Sequence, residues 1–325
     1  LNLPDPISKP AGESWPLVLR MPLSGDSRLL DIALAGRAML RFDLPAGADA
    51  PRRAAIQLGP GTPSLPSEGW IGIGGRSDQV DLDGWLDIVI EGARADRGMG
   101  GLSLEPGQIS ADRLLFLDRQ FEEVGLQFEA LESEIRAEFT GAAIDGSVRY
   151  SYGESSVSNL SAEFERLLLG DPVSGGMDME TDPAELPALH LYARSFQYAG
   201  VDMGETRIEA YPTAQGFHFE KVDAASDQMT VQARGDWSLD GGEHRSDFEI
   251  HMAAESLGDF LQSMDISSSV QGGQTMVEFS AWWPGSPAAF ALSRLNGEIE
   301  FSVVDGNITN ASAGTGRLLG LLSVQ

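Results

Sequence analysis

The sequence contains no cysteine, which excludes disulfides, thiolate nucleophiles and zinc–thiolate sites. Basic residues are scarce: 22 Lys and Arg stand against 49 Asp and Glu, and the formal net charge is -27. This charge repels a polyanion such as DNA or RNA, and no basic patch offers counterion release. An anionic membrane surface would be repelled for the same reason. Nucleic acid is therefore not an expected partner.

Long apolar runs are also missing. No stretch reaches the length of about 18 residues that a membrane-spanning helix needs, and no charged-then-apolar signal segment is found. With 325 residues and 42% hydrophobic residues the chain can still bury a core, and its length suggests about two domains. The 38 glycines and 17 prolines are scattered as turn residues, which is typical of many short elements.

Apolar and polar residues alternate with a period of two in five runs between residues 206 and 306. The runs are TRIEAYP, DQMTVQARGDWSL, SDFEIHMAAES, TMVEFSAWW and GEIEFSVVDG. Their spacing predicts a mainly β fold, a long antiparallel meander with one apolar and one polar face. The predicted apolar face carries Ile208, Met229, Val231, Ala233, Phe248, Ile250, Met252, Val277, Phe279, Ala281, Ile299, Phe301 and Val303. The predicted polar face carries Arg207, Glu209, Gln232, Arg234, Glu249, His251, Glu278, Glu298 and Glu300.

Helical signals are few. SLGDFLQSM, residues 256–264, predicts one short helix. SNLSAEFERLLLG, residues 158–170, suits a second helix, although the same letters could form a strand. Residues 58–78 are predicted to form a turn-rich loop, and the Gly-, Pro- and acid-rich stretch 170–187 is the best domain boundary. The predicted division is an N-terminal β region of residues 1–172, a connector of residues 173–187 and a C-terminal β region of residues 188–325.

The segment SAGTGRLLGLLSVQ, residues 312–325, has the closely spaced glycines of a phosphate-binding loop. Gly314 and Gly316 match two positions of the dinucleotide fingerprint, but Leu319 occupies the third glycine position and no acidic partner follows. A P-loop is excluded as well, because no Gly-Lys-Ser/Thr is present. The sequence therefore gives no reason to expect a nucleotide.

No motif indicates catalysis or a metal site. The acidic cluster of Asp78, Asp81, Asp83 and Asp87 lacks the ligand spacing of a calcium loop. These aspartates are therefore interpreted as residues of turns and strand starts. No G-x-S-x-G nucleophile elbow occurs. We therefore expect no enzyme activity, no cofactor and no bound metal. The histidines, none of which shows metal-ligand spacing, are His190, His218, His244 and His251.

Three motifs carry a resemblance to a known family: the Gly-Asp-Trp of 235–237, the WPGSPAAF of 283–290 and the GRLLGLLS of 316–323. They lie in a region, from LPALHLYARSFQYAG to the final LSVQ, that resembles the C-terminal region of YhdP-type, AsmA-like proteins of Gram-negative envelopes. The first half is similar through LPDPISKPAGESWPLVLRMPL and LPSEGWIGIGGRSDQVDLDGWLD. The resemblance thus covers nearly the whole chain.

The resemblance implies a periplasmic protein anchored in the inner membrane. Members carry an N-terminal transmembrane helix and continue with further strands, so the chain resembles a fragment that lacks both. They resemble bridge-like lipid transfer proteins, in which a long curled sheet forms an apolar trough. The thirteen apolar-face residues are then expected to line a groove for phospholipid acyl chains passing from the inner to the outer membrane, and envelope proteins are further candidate partners.

Elementary packing agrees with a trough. An amphipathic sheet must bury its apolar face against a second layer, and the predicted helices are too few, so the sheet is expected to fold over on itself. The residues alone leave two alternatives open: the apolar side chains fill a dry sandwich core, or the protein is a periplasmic scaffold that binds envelope proteins through sheet edges. A continuous apolar trough open to solvent favours lipid transfer over both.

Overall fold

The computed structural model describes residues 4–9, 12–22, 27–45, 51–86, 102–153, 158–173, 182–256, 270–290 and 294–308. Eighteen strands lie in these residues, as the periodicity predicts, and the fold is mainly β. Two compact units divide the chain, Leu1–Ser151 and Tyr152–Gln325. The connector predicted at 173–187 falls within the second unit.

The first unit is built from ten strands. Neighbouring strands are antiparallel except that β5 runs parallel to β4, β6 and β7. Parallel neighbours need a long crossover connection, which residues 59–69 supply between β4 and β5. The strands are β1 (Leu17–Arg20), β2 (Ser27–Leu34), β3 (Ala38–Pro45), β4 (Arg53–Leu58), β5 (Trp70–Asp81), β6 (Ser103–Leu104), β7 (Gly107–Phe116), β8 (Arg119–Ala130), β9 (Glu134–Thr140) and β10 (Ile144–Ser151).

The core of the first unit lies between the apolar faces of these strands. Phe121, Leu114 and Ile144 are fully buried, and the rings of Phe116 and Phe139 stack at 5.3 Å between centroids. A buried carboxylate lies at the end of β3. One Asp43 carboxylate oxygen accepts hydrogen bonds of 2.9 Å from the Nε atoms of both Arg52 and Arg53, which compensates the loss of hydration.

The second unit is one sheet of eight strands. β11 and β12 are parallel and are joined by the stretch 170–187, while β12 to β18 follow one another as an antiparallel meander. Short 3-10 turns at Pro183–Glu185 and Pro287–Ala289 flank the sheet. The strands are β11 (Asn159–Leu169), β12 (Ala188–Tyr198), β13 (Val201–Thr213), β14 (Gly216–Ala225), β15 (Met229–Asp240), β16 (Glu243–Ala254), β17 (Val270–Pro284) and β18 (Asn296–Ile308).

The five strands predicted from the period of two are confirmed as β13 and β15 to β18. The helix considered for 158–170 is wrong, because this segment is β11 and buries Ala162 and Phe164 on one face with a period of two. The loop predicted for 58–78 is correct only for residues 59–69, since Leu58 ends β4 and β5 begins at Trp70. The helix predicted for 256–264 lies, apart from Ser256, outside the described residues.

Candidate functional site

The apolar faces of β11 to β18 are in register across the whole second unit. Following the paired residues from strand to strand gives a single row, which we call the apolar lane. Rows of cross-strand neighbours run perpendicular to the strands, along the length of the sheet. The apolar lane consists of Ala162, Leu191, Ile208, Val222, Ala233, Ile250, Phe279 and Ile299.

A second row of the same face borders the apolar lane and is mostly buried. Ala193, Thr206 and Val277 in this row are at most 4% exposed. This bordering row consists of Phe164, Ala193, Thr206, Ala224, Val231, Met252, Val277 and Phe301.

The structure places all thirteen apolar-face residues predicted from the sequence on this one face. The backbone pairing of Phe301 with Val277 assigns Phe301 to the face by register. The nine residues predicted for the polar face are all exposed, as expected. The thirteen fall in the apolar lane (Ile208, Ala233, Ile250, Phe279, Ile299), in the bordering row (Val231, Met252, Val277, Phe301), or in the flanking rows (Met229, Phe248, Ala281, Val303).

Burial divides the face into a filled end and a partly open lane. At the filled end Trp237, Phe248 and Trp283 are between 2% and 8% exposed. In the apolar lane only Ala162 is buried: the side chains on β12 to β17 are partly exposed, and Ile299 is 61% exposed. Burial of apolar surface stabilises folding by roughly 25 cal/mol per Å². The side chains of the apolar lane still expose apolar surface whose burial would contribute further.

Aromatic rings fill the end of the face next to the lane. Phe248 lies 5.3 Å from Phe219 and 5.3 Å from Trp283 between ring centroids, and Trp283 lies 5.3 Å from Phe290. The polar atoms of these rings are paired, since the Trp283 indole N–H donates to the Ser286 carbonyl at 3.0 Å. The cluster therefore forms a rigid wall beside the apolar lane.

The sheet of the second unit is curled. Five inter-strand steps separate β12 from β17, which is about 24 Å in a flat sheet. Nevertheless the hydroxyl of Tyr198, at the end of β12, donates a hydrogen bond of 3.2 Å to the carbonyl of Ala288, just after β17. The apolar face is on the inside of this curvature, because Tyr198 continues the face of Leu191 beyond two register shifts between β12 and β13.

The outer face carries the charges. Arg234 and Glu249 are directly opposite each other and form an ion pair, and His251 lies 3.5 Å from Glu278 on the next strand. Exposed pairs of this kind contribute little to stability, typically 0–1 kcal/mol. Their consequence is a hydrophilic outer surface that keeps the curled sheet in water.

The sequence analysis missed Val222, the lane residue of β14, because a bulge interrupts the alternation there. Phe219 pairs with Gly235 and Val222 with Ala233, so β14 contains one more residue than β15 over this stretch. Phe219 and Val222 therefore share a face despite their odd spacing. The sequence does contain a signal of this bulge: the alternation of FHF, residues 217–219, and that of VDA, residues 222–224, are out of phase with each other. Leu191 and Ala162 were missed because β12 and β11 were not assigned as strands.

Two of the four aspartates that resembled a calcium loop accept structural hydrogen bonds, and Asp87 lies outside the described residues. Asp81 accepts the amide of Gly84 at 3.0 Å, and Asp83 accepts the amides of Leu117 and Asp118 at 2.9 and 3.0 Å, in the turn between β7 and β8. Burial raises the pKa of the Asp83 carboxyl. Among the described residues no group of acidic or histidine side chains is arranged to hold a metal ion, and the nucleotide-loop candidate 312–325 lies beyond them.

An open cavity of about 520 Å³ lies in the first unit, over β7 to β10. Its lining mixes apolar side chains such as Phe128 and Val148 with Arg136 and Glu138. Compared with the apolar lane, this cavity is short and bears charges of both signs.

Comparison with known proteins decides the family. The model of the family described as YhdP protein matches residues 1–325, which is the whole chain. The chain belongs to the YhdP family. It is therefore an envelope protein of the AsmA-like type. No curated protein and no solved structure matches the chain. No helix within the described ranges is both long and apolar enough to cross a membrane.

Proposed function

We propose that this chain is a periplasmic segment of a bridge-like phospholipid transport protein, anchored in the inner membrane, that supports lipid transfer from the inner to the outer membrane. Acyl chains occupy the apolar lane while they move. The protein performs no catalytic step and needs no cofactor. The YhdP family membership supports an envelope location, and the apolar lane supports the cargo.

The observation that carries the proposal is the continuity of the apolar lane. It crosses all eight strands of the second unit without a charged residue. Seven inter-strand steps of about 4.8 Å give it a length of about 34 Å, which exceeds that of one extended acyl chain. A lipid can therefore slide along the row while its contacts change little from strand to strand.

The exposed apolar surface of the lane suits reversible binding of an acyl chain. Each methylene that leaves water gains about 0.8 kcal/mol, and the partly exposed side chains of the lane gain from the same burial. A dry sandwich core would leave no such surface, because its central rows are the most buried. Here the central row is more exposed than the aromatic wall beside it, which favours a trough over a filled core.

The experiment is organic extraction of the purified chain followed by lipid mass spectrometry, normalised to protein. Phe248 and Val277 are unsuitable for charge substitution, because both are buried and a charge there would unfold the sheet. The test variant instead places three aspartates in the apolar lane, and a matched variant places three on the outer face of the same strands. The substitutions are Ala233→Asp, Phe279→Asp and Ile299→Asp in the lane, and Gln232→Asp, Ser280→Asp and Ser302→Asp outside.

Both variants add the same charge, so a difference in bound phospholipid between them is due to the face that carries the aspartates and not to the net charge. We expect stoichiometric phospholipid on the parent and the outer-face variant, and its loss from the lane variant. If the lane triple variant loses its β circular dichroism signal, Ile299→Asp alone replaces it, since that side chain is already 61% exposed. Full lipid retention by a folded lane variant, or no lipid on the parent, contradicts the proposal.

A further inference from the structure

The segment of residues 285–290, GSPAAF, lies across the apolar face, and we call it the strap. It leaves the end of β17 and returns over that strand: the Phe290 ring lies 5.3 Å from Trp283 and 6.5 Å from Phe279 between centroids. Phe279 is a residue of the apolar lane. The strap thus covers the point where the aromatic wall meets the lane.

One hydrogen bond ties the strap to the opposite side of the curled sheet. The Tyr198 hydroxyl on β12 donates to the carbonyl of Ala288 at 3.2 Å, and the bond is partly buried. A second bond, from the Trp283 indole N–H to the Ser286 carbonyl, holds the strap down on β17. The strap therefore bridges two strands that are far apart in the sheet, above the apolar surface between them.

The base of the strap is fixed and suits a hinge. The Gly285 amide donates to the His244 carbonyl at 2.8 Å, and the Ser246 hydroxyl donates to the Gly285 carbonyl at 2.9 Å. Gly285 has a φ of +106°, a conformation that favours glycine, and Pro284 and Pro287 stand close on either side. Motion of the strap is thus confined to the residues after Gly285.

The closed strap contains an unpaired polar group. Ser286 is 5% exposed and its hydroxyl oxygen has no hydrogen-bond partner. It occupies the N-cap position of the 3-10 turn Pro287–Ala289, where a serine ordinarily accepts a backbone amide, yet it makes no such bond. A buried hydroxyl without a partner destabilises the state that buries it. The closed position is therefore held by Tyr198 and weakened by Ser286.

We infer that the strap is a lid on the apolar lane, in equilibrium between this closed position and an open one in which an acyl chain passes Phe279. The inference rests on the proposed function, since it names the regulation of the same site. Because Tyr198 stabilises the closed position and Ser286 destabilises it, conservative changes at the two residues must shift the equilibrium in opposite directions.

Exchange of the Trp283 indole N–H with solvent, followed by NMR without lipid, measures the opening. Trp283 is 2% exposed and its N–H is bonded to the strap, so exchange requires the strap to lift. We expect Tyr198→Phe to accelerate exchange and Ser286→Ala to slow it, each about two- to tenfold, the size of one net hydrogen bond. The matched controls, Tyr211→Phe and Ser280→Ala, change exposed residues of the outer face and leave the rate unchanged. Shifts in the same direction, or none, overturn the lid.

Locking the strap tests its role in lipid entry. Because the chain has no cysteine, Tyr198→Cys with Ala288→Cys supplies the only thiol pair, and a reducible bis-maleimide links them. The assay is uptake of fluorescent phosphatidylethanolamine from vesicles of phosphatidylethanolamine and phosphatidylglycerol. We expect linking to abolish uptake and reduction to restore it. Uptake that linking leaves unchanged overturns the lid alone, whereas no uptake by the unlinked parent overturns the proposed function and the lid with it.

Discussion

Replacement of Gly235 by alanine should destabilise the second unit, although the same change usually strengthens a strand. Gly235 lies on β15 opposite Phe248, and the ring of Phe248 packs over it. An alanine Cβ would stand 2.2 Å from the Asp247 carbonyl oxygen and 2.6 Å from Cγ of Phe248. Since ordinary contact begins at 3.4 Å, the backbones of β15 and β16 would have to separate at this point.

The magnitude follows from two opposed terms. Alanine in a strand gains about 0.5–1 kcal/mol over glycine from the unfolded chain. Overpacking a well-filled site costs typically 1–3 kcal/mol, and here one of the two clashing atoms is backbone, which cannot rotate away. A backbone clash places the cost in the upper part of that range, so we expect a net loss of about 1–2 kcal/mol, which lowers the Tm of a unit of this size by roughly 2–8 °C.

Calorimetry of the purified chain measures this difference, and Gly125→Ala is the control. Gly125 also lies within an antiparallel strand, but an alanine Cβ there meets its nearest atom at 3.7 Å, in ordinary contact. Gly125→Ala should be neutral or raise the Tm slightly. A Gly235→Ala variant as stable as the parent, or equal losses in both variants, would refute the close approach of β15 and β16.

Two further predictions concern the first unit. Asp43→Ala should lower its free energy of unfolding by about 3 kcal/mol in urea titration. This is the lower end of the range for a broken buried ion pair, because the two arginine partners keep part of their surface in water. The control, Glu68→Ala, breaks an exposed ion pair and should cost less than about 1 kcal/mol. The Arg41 hydrogen bonds lower the pKa of Asp31, so the stability that Asp31 contributes is present above its unfolded pKa of about 3.9 and is lost as pH falls. The difference in unfolding free energy between parent and Asp31→Asn should therefore shrink below about pH 4, and a constant difference would contradict it.

The period of two was sufficient to predict which side chains share the face, because alternation is a local property of a strand. Ile250, Phe279 and Ile299 fall in one row, since β16, β17 and β18 are paired without a register shift along this stretch. The segment 158–170 was ambiguous because its charged residues also suit a helix. Its assignment as β11 depends on pairing with β12, a contact between segments far apart in sequence.

The open lane and the strap could not be read from the sequence for the same reason. The exposure of Ile299 and the burial of Phe248 depend on what packs above each residue, although both belong to alternating runs. The WPGSPAAF motif is conspicuous in the sequence, but its contact with Tyr198 joins residues that are ninety positions apart and requires the curl of the sheet. The parallel pairing of β5 with β4 and β7 likewise depends on how distant segments are arranged in the sheet, which the local alternation does not show.

The bulge in β14 shows that the lane depends on register as much as on composition. A one-residue change of register turns every following side chain to the other face of a strand. If β14 continued the regular alternation of Phe219 without this bulge, Lys221 would fall in the lane opposite Ala233, Asp223 would fall in the bordering row opposite Val231, and Val222 and Ala224 would lie on the outer face. The bulge instead returns Val222 to the row between Ile208 and Ala233. A charged side chain in that row would interrupt the apolar surface that the proposed function assigns to the acyl chain, so this irregularity is what keeps the apolar lane continuous.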